Sequence, residues 1–124
     1  MDYAKLFDMS GRTVLVIGAG SGIGEAAAQG LAAFGAEVVA GDLAADAAER
    51  TAQRIRDDGG AARGVAVDVT DPASLDAAMD AASPLDALVV TPAVNVRKPL
   101  LDVSREEFAK VVRLNLEGAF LAMT

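Results

Sequence analysis

The sequence predicts an α/β domain, a doubly wound parallel sheet with four strands in the spatial order 3-2-1-4. Three features lead to it. Short β-rich runs alternate four times with longer helical patterns, which specifies parallel strands, right-handed crossovers and helices on both sheet faces. The first strand is apolar throughout, as a strand covered on both faces must be. It runs directly into a turn of alternating glycines that opens a helix. At 124 residues the chain is read as one domain, residues 1–124.

The elements follow in order. Thr13–Ile17 (TVLVI) is the first strand, a continuous apolar run. Ile23–Phe34 is the first helix, and Gly35 suits its stop. Glu37–Ala40 is the second strand, Ala44–Asp57 a polar-faced helix closed by Gly59-Gly60, and Arg63–Val67 the third strand. Asp71-Pro72 opens the next helix, which runs to Ala82; an acidic cap followed by Pro at the first helical position is a start signal. Leu85–Val90 is the fourth strand, ended near Pro92. Ser104-Arg105-Glu106-Glu107 reads as a capping box that starts an unbroken helix running to the end of the chain.

Composition narrows the function. A hydrophobic fraction of 52% with 12 glycines and only 4% aromatics suits a core built from small and aliphatic side chains. The net charge of −7 repels nucleic-acid phosphates and anionic membranes, so neither is an expected partner. Cysteine and histidine are absent, which removes disulfides, thiolate chemistry, Ser-His chemistry and Cys/His metal sites; no metal is expected. Residues 1–12 (MDYAKLFDMSGR) lack the apolar core of a signal peptide, and no apolar run is long enough to span a bilayer. Cytoplasm is the expected compartment.

The glycine turn IGAGSGIGEAA (Ile17–Ala27) carries the chemistry. A turn that brings backbone close to a phosphate and packs a helix tightly on a strand favours residues without Cβ. The helix start then offers unpaired N–H groups and a partial positive charge to a pyrophosphate. A P-loop needs Gly-Lys-Ser/Thr, whereas Glu25 follows Gly24. GxGxxG also fails, because from Gly18 its third glycine falls on Ile23; the pattern that fits is GxxxGxG, on Gly18, Gly22 and Gly24. Asp42 lies 18 residues beyond Gly24. An acid at that strand end can accept both ribose hydroxyls of an adenosine and repels a 2′-phosphate, which favours NAD over NADP. Asp68, after the third strand, is placed to accept the adenine amino group. The candidate binding residues are therefore Gly18, Gly20, Ser21, Gly22, Ile23 and Gly24 in the turn, Asp42 with Leu43, and Asp68 with Val69. A glycine turn with an acid on strand two also suits S-adenosylmethionine, a reading that Gly-Ile-Gly and LNLEG (Leu114–Gly118) argue against.

With these residues the chain resembles the N-terminal half of a classical short-chain dehydrogenase/reductase. The likeness covers essentially all 124 residues and rests on GAGSGIG (Gly18–Gly24), Asp42, Asp68-Val69 and LNLEG. It implies a Rossmann-type fold and NAD(H)-dependent hydride transfer between nicotinamide and a small alcohol or ketone. It also implies a homo-oligomer for the full-length parent. For Asn115 it implies a place in the catalytic tetrad, helping to hold a water in the proton relay behind the catalytic lysine. Two departures stand out: Ile17 where the family has Thr, and Val90-Thr91-Pro92-Ala93 where it has Asn-Asn-Ala-Gly. The family's catalytic Ser and Tyr-x-x-x-Lys lie further along its chains. The one tyrosine here is Tyr3, with Phe7 four residues on. The resemblance thus leads to the expectation of a cofactor half, truncated in the helix after strand four and inactive unless complemented. Strand four would be a bare edge, and among Phe108, Val111, Val112, Phe120 and Met123 some side chains would lack partners. The alternative is a non-catalytic dinucleotide-binding module that senses NAD or binds a partner.

Overall fold

The computed structural model describes residues 1–124, residue 4 by its backbone alone. A 3-10 turn at Tyr3–Phe7 precedes β1 (Thr13–Ile17), α1 (Gly22–Ala33), β2 (Glu37–Asp42), α2 (Ala45–Asp57), β3 (Ala61–Ala66), α3 (Pro72–Ala81) and β4 (Ala87–Val90). After a 3-10 turn at Leu100–Asp102 come α4 (Arg105–Val112), a π-helical turn at Arg113–Glu117, and α5 (Gly118–Met123). The four strands form one sheet in the order β3-β2-β1-β4, and every pairing is parallel. This is the architecture and strand order that the alternation pattern predicts.

Strand periodicity sorts the core into two layers. Successive side chains point to opposite faces. Val14 and Val16 of β1 with Val38 and Ala40 of β2 pack under Ala28 and Ala32 of α1 and Ala52 and Ile55 of α2. Leu15, Ile17 and Val39 face the other way, against Leu75 and Ala78 of α3 and Ala122 of α5. Residues 14–17 of β1 are buried between both layers, which is why that stretch shows no polar alternation. Alanines dominate the helix side of the contacts and let the helices lie close to the sheet.

The helix ends follow their local signals. Asp71 caps α3 by accepting from the Ala73 N–H at 3.1 Å, with Pro72 at the first position. Ser104 and Glu107 form the capping box of α4. Gly35 and Gly59 close α1 and α2 with the paired backbone bonds of the Schellman motif.

Several boundaries depart from the expected ones. β2 extends two residues to Asp42 because Gly41 and Asp42 still pair with Val65 and Ala66, and β3 begins at Ala61 because Ala61 pairs with Glu37. β4 starts at Ala87, the first residue in register with β1. Asp86 is instead turned onto the start of β1, where its carboxylate accepts from the Thr13 N–H at 2.8 Å and from Arg12 at 3.0 Å. The last helix is interrupted by the π turn, which simple periodicity does not reveal. A Cβ on Gly118 would lie 2.8 Å from Val69 Cγ2, so glycine is what lets α5 approach the segment that follows β3.

The outer edge of β3 is partly covered by α2. Arg56 Nη1 donates to the Ala62 carbonyl at 2.8 Å, the Gly64 N–H donates to Glu49 Oε2 at 3.2 Å, and Arg56 pairs with Glu49. Charged side chains placed on an edge discourage strand addition. Along α4, the π turn and α5, the side chains of Phe108, Val112, Leu116, Phe120 and Met123 are exposed. Among the described residues no helix is long and apolar enough to cross a membrane.

Candidate dinucleotide site

The glycine turn leaves β1 at Ile17 and enters α1 at Gly22. Its first backbone groups are consumed internally. The Gly18 and Ala19 N–H groups both donate to the Gly41 carbonyl, at 2.8 and 2.9 Å. The Gly20 N–H donates to Asp42 Oδ2 at 2.9 Å. The Ile17 carbonyl accepts from the Thr91 N–H and hydroxyl, both at 3.0 Å, and the Ala19 carbonyl accepts from the Thr51 hydroxyl at 2.8 Å.

The next donors are different. Ser21 caps α1 in an extended conformation, and its side chain makes no capping bond. The first helical backbone bond runs from the Glu25 N–H to the Ser21 carbonyl. No acceptor among the described residues takes the N–H groups of Gly22, Ile23 and Gly24. These are the orphan donors of a helix start, at the positive end of a 12-residue helix. Unpaired donors at a helix start are chemically suited to an anion such as a pyrophosphate.

The glycines serve separate purposes. At Gly22 φ is +57°, and an added Cβ would meet nothing within 4 Å, so this position faces open space and needs glycine for its left-handed backbone. At Gly24 a Cβ would lie 2.0 Å from the Gly18 carbonyl oxygen; its absence lets α1 seat on the turn. At Gly20 a Cβ would lie 2.7 Å from the Asp42 carboxyl. Gly20 thus makes room for Asp42, which the spacing pattern does not disclose.

Asp42 ends β2 beside the turn. Oδ2 accepts from Gly20 and Oδ1 from the Ala44 N–H at 3.0 Å. A carboxylate has roughly four acceptor positions, so capacity for two more donors remains. Asp68 Oδ1 accepts from the Thr70 hydroxyl at 2.7 Å and the Thr70 N–H at 2.8 Å. These two bonds, with a smaller contribution from the Arg113 charge, hold its carboxyl below the ordinary aspartate value against the opposing effect of burial. No donor among the described residues binds Oδ2 of Asp68.

A cleft of about 360 Å³ opens at the carboxyl ends of the strands, the place where ligands bind in open α/β sheets. Gly18, Ser21, Gly22, Ile23 and Gly24 line one wall, Asp42 and Leu43 another, and Val67, Asp68 and Val69 the floor toward β3. Every predicted binding residue except Gly20 is on it. Ile23 and Leu43 present exposed side chains, 82% and 74% accessible, as apolar surface at the rim.

Thr91, Pro92 and Ala93, the segment that stands where the family has Asn-Asn-Ala-Gly, close the β4 side of the cleft together with Leu114. They were not among the candidate binding residues, although both that motif position and the sheet topology point to them, because the residues after β4 must face the crevice where strand order reverses. Asn115 does not line the cleft. It lies in the π turn, with Oδ1 accepting from the Val94 N–H at 2.8 Å and Nδ2 donating to the Val94 carbonyl at 2.9 Å. Both ends of its amide therefore clamp the segment that follows β4. π turns recur at functional positions, and this one carries the clamp.

The fit to a dinucleotide is physical. Three residues with unpaired amides line the cleft, with an acid of spare acceptor capacity on the next wall and apolar side chains at the rim. The titratable side chains on the lining are Asp42 and Asp68, both already accepting from protein donors.

Comparison with known proteins agrees with this geometry. The family model described as short chain dehydrogenase matches residues 12–124. The D-threitol dehydrogenase of Mycolicibacterium smegmatis is 40% identical over 119 residues, covering 93% of this chain and 46% of that relative. The sorbitol dehydrogenase of Cereibacter sphaeroides is 34% identical over 119 residues, covering 93% and 45%. Among solved structures, a short-chain type dehydrogenase/reductase from Mycobacterium marinum superposes with a TM-score of 0.94 at 31% identity, covering 99% of this chain and 51% of that one. A hydroxysteroid dehydrogenase from Escherichia coli gives 0.87 at 32% identity, covering 94% and 51%. The chain spans about half the length of the curated relatives it matches.

Proposed function

The chain belongs to the short-chain dehydrogenase family, and from that premise we propose that it is the cofactor-binding half of an NAD(H)-dependent oxidoreductase acting on a small alcohol or ketone. The observation that carries this reading is the set of unpaired Gly22, Ile23 and Gly24 amides facing the cleft that Asp42 flanks. The amides and the α1 dipole bind the pyrophosphate. Asp42, kept in place by the Gly20 and Ala44 N–H groups, accepts the adenosine ribose hydroxyls with its spare lone pairs and disfavours a 2′-phosphate. Asp68 accepts the adenine amino group through Oδ2, while Leu43 and Val69 supply apolar contact. When bound, the dinucleotide supplies the carbon that takes or gives hydride.

Asn115 acts at a distance from the cleft by fixing Val94, and through that segment supports the proton relay that the family places behind its lysine. The family's Ser and Tyr-x-x-x-Lys are not among these 124 residues. Turnover therefore requires residues that carry them; the proposal further places the protein in the cytoplasm and its full-length parent in a homo-oligomer. Calorimetric titration of this chain with NAD and then NADP tests the binding half of the proposal. Saturable binding of NAD, weaker for NADP, is the expected result. A folded chain that binds neither would refute it. Mixing with a partner segment bearing the Ser, Tyr and Lys should then restore oxidation of an alcohol, and a mixture that assembles yet stays inactive would refute the catalytic half.

A further inference from the structure

Two hydroxyls grip the glycine turn from opposite flanks. Thr51 lies in α2 and is 1% exposed. Its Oγ1 donates at 2.8 Å to the carbonyl of Ala19, 32 residues earlier in the chain. A threonine inside a helix ordinarily turns its hydroxyl to its own helix, three or four residues back; this one leaves the helix altogether. It sits beside Ala48 and Ala52 in the sequence of the buried α2 face, where an apolar side chain of the same shape would pack as well. Burying a hydroxyl is unfavourable unless it is bonded, so the bond to the turn is what this residue type adds.

Thr91 holds the opposite flank. It follows β4, and Oγ1 donates to the Ile17 carbonyl at 3.0 Å with the Gly18 carbonyl at 3.4 Å. A Cβ on Gly18 would lie 2.3 Å from that hydroxyl oxygen, and a Cβ on Gly24 2.7 Å from it. The hydroxyl thus occupies the space that the two missing Cβ atoms leave, and the three residues form one packed unit. Between them, Thr51 and Thr91 occupy the carbonyls on both sides of the turn.

We propose that Thr51 and Thr91 are positioning residues for dinucleotide binding. They hold the turn so that the Gly22, Ile23 and Gly24 amides face the cleft before a ligand arrives, which lowers the ordering cost of binding. The identity of the ligand rests on the function proposed above; the pinning of the turn does not.

The test uses Thr51→Val and Thr91→Val, which remove the donors at nearly constant shape, and Thr51→Ser and Thr91→Ser, which keep them. Two quantities are read on the whole chain: amide hydrogen exchange of Gly18, Ala19 and Gly20, the bonded amides of the turn, without ligand and compared with the strand amides of β1, and NAD affinity by calorimetry. Each Val variant should speed exchange in the turn relative to β1 and weaken NAD binding about five- to tenfold, the scale of one net hydrogen bond. Each Ser variant should restore both. A purely structural role would lower overall stability in Val and Ser variants alike without this split. Turn exchange unchanged in the Val variants, or Ser variants behaving like Val, would overturn the proposal. If Thr51→Val fails to fold, Thr91→Val, at a partly buried position, carries the test. A wild-type chain that binds no NAD refutes the functional reading, and the exchange measurement still decides the pins.

Discussion

Replacing Asp42 separates its two tasks. The carboxylate accepts from Gly20 and Ala44, and its remaining lone pairs are available to a ribose. Asp42→Ala removes all of these acceptors. Hydrogen bonds to a charged group contribute about 1.5–3 kcal/mol. Loss of that interaction with the ribose should raise the NAD dissociation constant about 10- to 150-fold, since each 1.4 kcal/mol is about tenfold. The same change removes the negative charge that opposes a 2′-phosphate, so NADP should lose much less affinity than NAD or gain some. The Gly20 N–H also loses its acceptor in a part-buried place, which should lower folding stability by about 1–3 kcal/mol. Calorimetry with both dinucleotides and a urea melt measure the three effects together. Unchanged NAD affinity would refute the ribose assignment. Equal losses for NAD and NADP would refute it as well, because they would mean that Asp42 acts only by holding the turn.

Three further outcomes are expected. Gly24→Ala places a methyl 2.0 Å from the Gly18 carbonyl oxygen and should cost about 3 kcal/mol or more. Gly22→Ala meets no neighbour within 4 Å and should cost only the left-handed strain, about 1–2 kcal/mol, while projecting into the cleft and weakening NAD binding; denaturant melts giving the reverse order would refute these roles. The Asp68 carboxyl, held low chiefly by the Thr70 hydroxyl, contributes stability that is complete above its unfolded value of about 3.9 and is lost as pH falls through its lower folded value. The stability gap between wild type and Thr70→Val should therefore be largest near neutral pH and shrink below about pH 4, and a gap that widens on acidification would contradict it. Asn115→Ala removes both bonds to Val94 and should speed exchange of the Val94 amide with a stability loss of about 1 kcal/mol; an unaltered exchange rate would mean the clamp does not restrain that segment.

The helix caps at Asp71 and Ser104 and the stops at Gly35 and Gly59 were legible because each is a local signal, read within a few residues. The four strands were legible for the same reason, since burial on two faces leaves a continuous apolar run in β1. The glycine turn was legible as a helix start with unpaired N–H groups because a strand, a turn and a helix start follow one another along the chain. The strand ends were less so, as β2 gains Gly41 and Asp42 only through their pairing with Val65 and Ala66.

What the sequence by itself determined is therefore the alternation of elements, the parallel sheet order and the location of the cleft. Only the tertiary structure decided which backbone groups of the turn remain for a ligand. That depends on contacts between residues far apart in the chain: Gly20 with Asp42, Ala19 with Thr51, Gly18 with Thr91, and Val94 with Asn115. It also decided that Gly20 serves Asp42 rather than the cleft, and that Asn115 clamps Val94 from a π turn. A hydrogen bond closes within a few tenths of an ångström, and no periodicity in the chain sets a distance between distant segments. Packing of helices on the sheet does.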